Sequence, residues 1–334
     1  MTLPVYKYQV KDYSLLTPPF KKWIVTPLIR LLPWSIPANI VTILSNFCMY
    51  LALGLSFFHE PTQKWHFIVI PILILGYLIG DHLDGMQAKR TGTGSALGEF
   101  CDHFHDTFNN GILFMIMFFL FDIKNPITVS VIMGISYMVH ACIFHEQLHT
   151  GWLIFEKLGS LEGVLIGICF ILVGFFPITH SFLSQPQYLV YSGLEILLIL
   201  SSLGSILTMF VTLWRTKKMS FSLFLFFISL GLTIFFGIKT LTFNYLCITI
   251  TLFSSVYLGT LMRGHLIDKM ERLPDLLVPV LLMIAFFSEK LSQNYLQLLI
   301  FSYLILQVIK IVYLVGSTLK QYWVWKNPIK EIKQ

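Results

Sequence analysis

Long apolar runs decide what this chain can fold into. A helix rising about 1.5 Å per residue crosses a hydrocarbon core of about 30 Å with about 20 mainly apolar residues. Ten stretches meet or approach that need: 40–58, 67–84, 98–121, 127–146, 161–177, 189–212, 219–237, 239–260, 274–288 and 293–317. The seventh and eighth are parted only by Gly237, Ile238 and Lys239, and the last two by Ser288, Glu289 and Lys290. Lipid offers backbone groups no hydrogen bonds, so such segments must be helices. The predicted fold is all-α, a polytopic membrane helix bundle of about ten transmembrane helices. Composition agrees, with 56% of the 334 residues hydrophobic and 12% charged. A soluble domain carries about 25% charged residues. A soluble enzyme, a disordered tail and a nucleic-acid-binding module are thereby excluded, and no nucleic-acid partner is expected despite the net charge of +6.

Charge orients the bundle. Eighteen of the 23 Lys and Arg fall in the N-terminal segment, the C-terminal tail and the loops that follow spans two, four, six and eight. Basic residues collect on the cytoplasmic side, so both termini and the loop at 85–97 are expected there. No signal peptide is read at the start. Residues 18–33 mix Lys21, Lys22 and Arg30 with Trp23, Ile24, Val25, Leu28 and Ile29, a pattern for one or two short interfacial helices. The expected organisation is an N-terminal cytoplasmic and interfacial segment (1–39), one transmembrane catalytic domain (40–317) and a basic cytoplasmic tail (318–334). Trp23, Trp34, Trp65, Trp323 and Trp325 lie near span ends and fit an interfacial belt. The five cysteines show no paired spacing and read as small buried hydrophobes.

Five carboxylates lie where an apolar helix should have none. Asp81, Asp84, Glu99, Asp102 and Asp106 fall within 26 residues, at the ends of two apolar segments. Ionisable groups inside a membrane mark function by default. Asp81 and Asp84 share a helix face at i, i+3. At about 100° per residue, with Glu99 at zero, Asp102 falls at about −60°, Asp106 at about −20° and His103 at about +40°. The Gly-rich loop between the two helices would bring both sets together. Their mutual repulsion calls for cations, and an all-oxygen donor set suits Mg²⁺, Mn²⁺ or Ca²⁺.

The run from Asp81-His-Leu-Asp84-Gly85-Met-Gln-Ala88-Lys89 through Gly98-Glu-Phe-Cys-Asp102-His-Phe-His-Asp106 resembles the CDP-alcohol phosphotransferase signature D-x2-D-G-x2-A-R-x8-G-x3-D-x3-D. Its four Asp, two Gly and one Ala have a chance expectation on the order of 10⁻⁸. Lys89 stands where the signature has Arg, with Arg90 next. Further matches point to the choline/ethanolamine phosphotransferase branch. Gly98-Glu-Phe-Cys-Asp102-His103 is similar to its G-E-L-F-D-H, and Trp34 to Thr42 to its W-x-A-P-N-x-I-T. Glu146-Gln-Leu-His149-Thr-Gly151 is similar to W-E-x-x-H-T-G, with His145 in place of Trp. Gly159-Ser-Leu-Glu162-Gly163 is similar to G-P-x-E-G without the Pro.

The resemblance implies transfer of a phospho-alcohol, phosphocholine or phosphoethanolamine, from a CDP-alcohol to diacylglycerol with release of CMP. It implies two Mg²⁺ or Mn²⁺ ions held by Asp81, Asp84, Glu99, Asp102 and Asp106. Lys89 or Arg90 would meet phosphate, and Asn39 and Gly85 would approach the nucleotide. Gly98, Glu146 and His149 complete the expected substrate-binding set. Two residues compete as the base. Asp106 is the usual choice in the wider family, but a carboxylate bound to a dication is a poor base. His103 flanks the metal face with an ordinary pKa near about 6.5, and is favoured. A homodimer is implied by resemblance alone, as is residence in the endoplasmic reticulum of a eukaryote or the inner membrane of a bacterium.

Three other readings compete. A relative that uses CDP-diacylglycerol with a water-soluble alcohol shares the core motif; the matches after residue 145 favour the CDP-alcohol donor. His145-Glu146-Gln-Leu-His149 is a literal H-E-x-x-H, which would point to an intramembrane zinc protease; its chance expectation is about 0.01. Leu83-Asp84-Gly85 precedes it, the reverse of the order in site-2 proteases. A cation transporter would show broken helices at matching places in two halves; here the acids cluster in the first half, with no second set. Outside these motifs, His105 reads as structural and His265 as a solvated loop residue. Glu195 is open between an interhelical hydrogen bond and function.

Overall fold

The computed structural model describes residues 8–60, 64–188, 190–288 and 292–319. The tail from 320 on, with Trp323 and Trp325, and the residues before Tyr8 lie outside them.

The chain enters through a short strand, β1 (Val10–Asp12), and then three abutting helical pieces: α1 (Thr17–Phe20), a π-helical turn (Lys21–Val25) and α2 (Thr26–Leu31). Short helices thus form where interfacial ones are expected. Trp23 and Leu31 stand out from them, exposed, while Phe20, Val25 and Ile29 pack inward. Pro37 caps α3 (Ala38–Phe57), which packs along α4 (His66–Thr91). The two backbones approach closely at Gly80, where a Cβ would collide with that of Ser45. Close backbone approach through small residues is a standard way of associating helices in lipid. Gly92, at φ +66, ends α4 in the left-handed conformation that glycine adopts freely. Ser95 then caps α5 (Ala96–Leu120), its hydroxyl accepting from the Gly98 N–H. This short connection folds α5 back beside α3 and α4 and sets the two acidic helix ends side by side.

Asn125 caps α6 (Pro126–Thr150), which leads to strand β2 (Leu153–Phe155). β2 pairs in parallel with β1, Val10 opposite Leu153, and ties the N-terminal segment to the end of α6. Next come α7 (Ser160–Val173) and α8 (Pro177–Ser184), bent 120° from each other. A hairpin of β3 (Pro186–Tyr188) and β4 (Tyr191–Ser192) follows. The remaining helices are α9 (Gly193–Thr216), α10 (Phe221–Thr240), α11 (Phe243–Arg263) with a π-helical extension (Gly264–Asp268), α12 (Leu277–Ser288) and α13 (Gln293–Leu319).

All ten expected spans coincide with helices. Among the described residues, seven helices are long and apolar enough to cross a membrane, and the bent α7–α8 pair makes an eighth. α5, with its acidic first turns, and the 12-residue α12 account for the other two. The expected span at 161–177 is interrupted, because the helix stops at Gly174 and restarts in a new direction at Pro177. The 219–260 region is two helices, α10 ending through extended Leu241. Two small two-stranded sheets are the departures from an all-helical chain among the described residues.

α11 is the hub, with 83% of its apolar window buried, against 17% for α9 and 22% for α13. It packs on α5, α6, α10 and α13. The outward faces of α9 and α13 carry exposed Leu200, Leu207, Phe210, Leu306 and Tyr313, as lipid-facing surfaces do. The protein is an integral membrane helix bundle. All five cysteines are free; Cys142 and Cys247 are buried as expected, but Cys48 and Cys101 are half-buried and Cys169 on α7 is exposed.

Candidate active site

α4 and α5 project their acidic faces toward each other. Asp81, Asp102 and Asp106 converge, each offering an oxygen within 4.8 Å of the others. This all-oxygen set fits a hard divalent cation, and the fit rests on donor chemistry and spacing alone. Asp84 lies one turn along α4, buried, and Thr42 Oγ1 on α3 donates to its Oδ2 at 2.5 Å. Tyr77, one turn before Asp81, donates its hydroxyl to Asp106 Oδ1 at 2.7 Å. Thr42 on α3 and Tyr77 on α4, both outside the acidic run, thus orient carboxylates within it.

Glu99 stands at the other edge. It accepts a hydrogen bond from Gln147 Nε2 of α6 at 2.9 Å. His103 lies between the two groups of acids, with Nδ1 4.0 Å from Glu99 Oε1 and Nε2 3.8 Å from Asp102 Oδ2. The ring is buried and lies 5.9 Å, centroid to centroid, from that of Tyr8, which the β1–β2 pairing brings over the site. His265, read from sequence as solvated, is instead part of this edge. Its Nε2 is 4.0 Å from Glu99 Oε1, and its Nδ1 lies 3.1 Å from the Gln147 carbonyl. The π-helical extension of α11 carries it there. His105 points away and bonds the Cys101 carbonyl at 2.6 Å.

The other expected site residues divide into two groups. Gly85 faces open space, and a Cβ there would meet no atom within 4 Å. Lys89, one turn on and exposed, lies on the same side of α4. Buried Asn39 opens α3, and its Oδ1 would sit 3.2 Å from a Cβ on Gly98, so the starts of α3 and α5 touch at this point. Arg90 turns the other way. It donates to the carbonyls of Ile29 at 2.7 Å and Leu32 at 2.6 Å, and stacks 4.5 Å over the Trp34 ring. It anchors the interfacial helix α2. Glu146 is fully buried and grips Arg215 of α9 through both oxygens, at 2.5 and 2.7 Å; Glu156 takes a third donor at 2.6 Å. His149 points to Glu271, 3.4 Å away, rather than to the aspartates.

Sequence reasoning missed Tyr77, Thr42, Gln147 and His265. None belongs to the acidic run, and each arrives from a different helix. The pattern that did carry a signal, two helix turns of acids separated by a glycine-rich connection, lies within the stretch that matches a known family. Residues 35–179 match the CDP-alcohol phosphatidyltransferase family. The chain carries a CDP-alcohol phosphatidyltransferase domain. The domain holds α3 to α7, and with them every carboxylate of the cluster.

This domain has named relatives. The chain is 30% identical over 204 residues to cholinephosphotransferase 1 of Saccharomyces cerevisiae, covering 55% of this chain and 49% of that protein. It is 28% identical over 182 residues to choline/ethanolaminephosphotransferase 1 of the same yeast, covering 51% and 45%. It is 27% identical over 141 residues to ethanolaminephosphotransferase 1 of Mus musculus, covering 38% and 34%. The chain thus spans about half the length, or less, of the relatives it matches.

Proposed function

We propose that the protein transfers phosphocholine or phosphoethanolamine from the corresponding CDP-alcohol to diacylglycerol, making a phospholipid and CMP. The convergence of Asp81, Asp102 and Asp106 beside His103 carries this reading. Relatives named as choline and ethanolamine phosphotransferases support the substrate class. In the reaction a lipid hydroxyl oxygen attacks the phosphorus bearing the alcohol, the bond from that phosphorus to the CMP oxygen breaks, and the hydroxyl proton needs an acceptor.

Two Mg²⁺ or Mn²⁺ ions held among Asp81, Asp84, Glu99, Asp102 and Asp106 would neutralise the pyrophosphate and stabilise the leaving oxygen. Asp81, Asp102 and Asp106 form the tight set, with Asp84 and Glu99 at its two edges. Lys89 faces the phosphates from the exposed side of α4, while Arg90 serves to hold α2 over the helix. Gly85 keeps the space beside Asp84 clear for the nucleotide, and Asn39 with Gly98 borders it. His103 takes the hydroxyl proton. It is aromatic, neutral-capable and beside the aspartates, whereas Asp106 already accepts from Tyr77. Glu146 with Arg215 braces α6 against α9, so that Gln147 reaches Glu99. The basic residues on the loops and ends around the carboxylates support a cytoplasmic site.

The test is a transfer assay on purified protein in lipid. Labelled CDP-choline or CDP-ethanolamine is offered with diacylglycerol, with and without Mg²⁺ or Mn²⁺, beside Asp106→Ala. The expected result is metal-dependent lipid product absent from the variant, and the preferred donor names the head group. Nucleotide binding without transfer from either donor would redirect the reading to CDP-diacylglycerol as donor. Absence of nucleotide binding would overturn it.

A further inference from the structure

A second cluster of donors lies on α6, outside the aspartate site. His145 and His149 are i, i+4 on one face, ring centroids 4.4 Å apart. Glu271, in the connection between the α11 extension and α12, faces both. His145 Nε2 lies 3.6 Å from Glu271 Oε1, and His149 Nε2 lies 3.4 Å from Glu271 Oε2. All three residues can offer a ligand atom within 4.8 Å of the others. His145 is fully buried, and neither of its ring nitrogens has a hydrogen-bond partner. A buried imidazole left unsatisfied on both sides is costly.

The spacings have a shape. They are long for N–H···O hydrogen bonds, whose usual range ends at about 3.2 Å. Metal–ligand bonds of about 2.0–2.1 Å in a tetrahedral site place neighbouring donors about 3.3–3.4 Å apart. The observed 3.4 and 3.6 Å lie close to that spacing, with all three ligand atoms within 4.8 Å of one another. Two imidazoles and a carboxylate select a borderline metal over Mg²⁺ or Ca²⁺, whose ligands are oxygens.

We propose that His145, His149 and Glu271 bind one Zn²⁺, with water in the fourth position. The site is built to hold. The Ser220 hydroxyl donates to Glu271 Oε1, and Ser222 Oγ donates to the neighbouring Arg272 carbonyl at 2.6 Å. The ion's role is structural rather than hydrolytic. In an H-E-x-x-H protease the Glu activates the bound water, but here both Glu146 oxygens are held by Arg215. The zinc instead clips the connection that follows the His265-bearing extension of α11 onto α6, two residues before and after Gln147. It thereby steadies the Gln147–Glu99 and His265–Glu99 edge of the aspartate site.

The test reads metal, not turnover. Purified full-length protein in detergent is given one equivalent of Zn²⁺ in excess Mg²⁺, desalted, and analysed for zinc and iron by mass spectrometry. One zinc per chain is expected in the unaltered protein and in Asp106→Ala. His145→Gln and the isosteric Glu271→Gln should each weaken zinc binding by more than about 100-fold in chelator competition, beyond the cost of losing an outer partner. Co²⁺ in place of zinc should give a visible tetrahedral band that both variants lose. Absence of zinc from the unaltered protein, iron in its place, or undiminished zinc in Glu271→Gln would each overturn the proposal. Zinc in Asp106→Ala without transfer activity separates this site from the reading of the aspartate cluster.

Discussion

The Tyr77 hydroxyl donates to Asp106 Oδ1 at 2.7 Å, so one turn of α4 holds a carboxylate of α5 from within the bundle. Outer partners of this kind typically set metal affinity by 10- to 100-fold. Tyr77→Phe keeps the buried ring and removes only the donor. It should raise the Mg²⁺ concentration needed for half-maximal transfer by about 10-fold or more, with thermal stability nearly unchanged. An unaltered Mg²⁺ titration would remove Tyr77 from this role.

Gly85 and Gly80 separate ligand space from packing on one helix. At Gly85 an added methyl meets no protein atom, while at Gly80 it strikes Ser45. Alanine exceeds glycine in helix propensity by about 1 kcal/mol. Gly85→Ala should therefore fold at least as stably as the parent yet raise the KM for CDP-alcohol. Gly80→Ala should lower the thermal midpoint instead. Equal KM values for Gly85→Ala and parent would mean that the nucleotide lies elsewhere.

His103 and Asp106 are distinguished by which constant moves. General-base removal costs about 10²–10⁴-fold in rate. His103→Asn should lose that much in kcat while its Mg²⁺ requirement stays. Asp106→Asn should lose metal affinity as well. Near-normal kcat in His103→Asn would return the proton to Asp106.

Arg215 holds a carboxylate that has no exposure at all. Removing one partner of a buried pair costs about 3–5 kcal/mol, and partial exposure of Arg215, at 31%, places the effect toward the lower figure. Arg215→Ala should lower the thermal midpoint by several degrees in detergent, and Glu146→Leu with Arg215→Leu should recover much of the loss. A midpoint that Arg215→Ala leaves in place would show the pair to be dispensable.

His59 gives the far end of the bundle a pH dependence. Burial first, and then neighbouring His66 and His180, hold its imidazole down at about 4. In the unfolded chain it titrates near about 6.5. The folded state therefore binds fewer protons between these values, and stability present above the unfolded pKa is lost as pH falls toward 4. Thermal midpoints measured from pH 7 to pH 4 should fall less steeply in His59→Asn than in the parent. Parallel curves would show that His59 is not the group responsible.

Much of the bundle was legible because burial in lipid demands long apolar helices, and such runs are visible one residue at a time. The acidic run was legible for a related reason: carboxylates in apolar helices are too costly to be incidental, and i, i+3 and i, i+4 spacing places them on one face without knowledge of any neighbour. The reversal at Gly174 and Pro177 was not visible in hydropathy, which does not sense direction. Glu195, open between function and an interhelical bond, proves to be a helix cap, exchanging hydrogen bonds with Ser192 at 2.9 and 3.2 Å.

By itself, then, the sequence determined the helical membrane class, the positions of the spans and the carboxylates that make the cluster, since each follows from local chemistry and helix period. Only the tertiary structure decided what completes them. Gln147 reaches Glu99 across 48 residues of chain, and His265 reaches Gln147 across 118. Arg90 turns to the backbone of α2 while Lys89 stays exposed, and Glu271 closes on His145 and His149 from across the bundle. Those pairings depend on how helices cross and which faces meet. Such geometry is set by packing between distant segments, and no local pattern of residues encodes it.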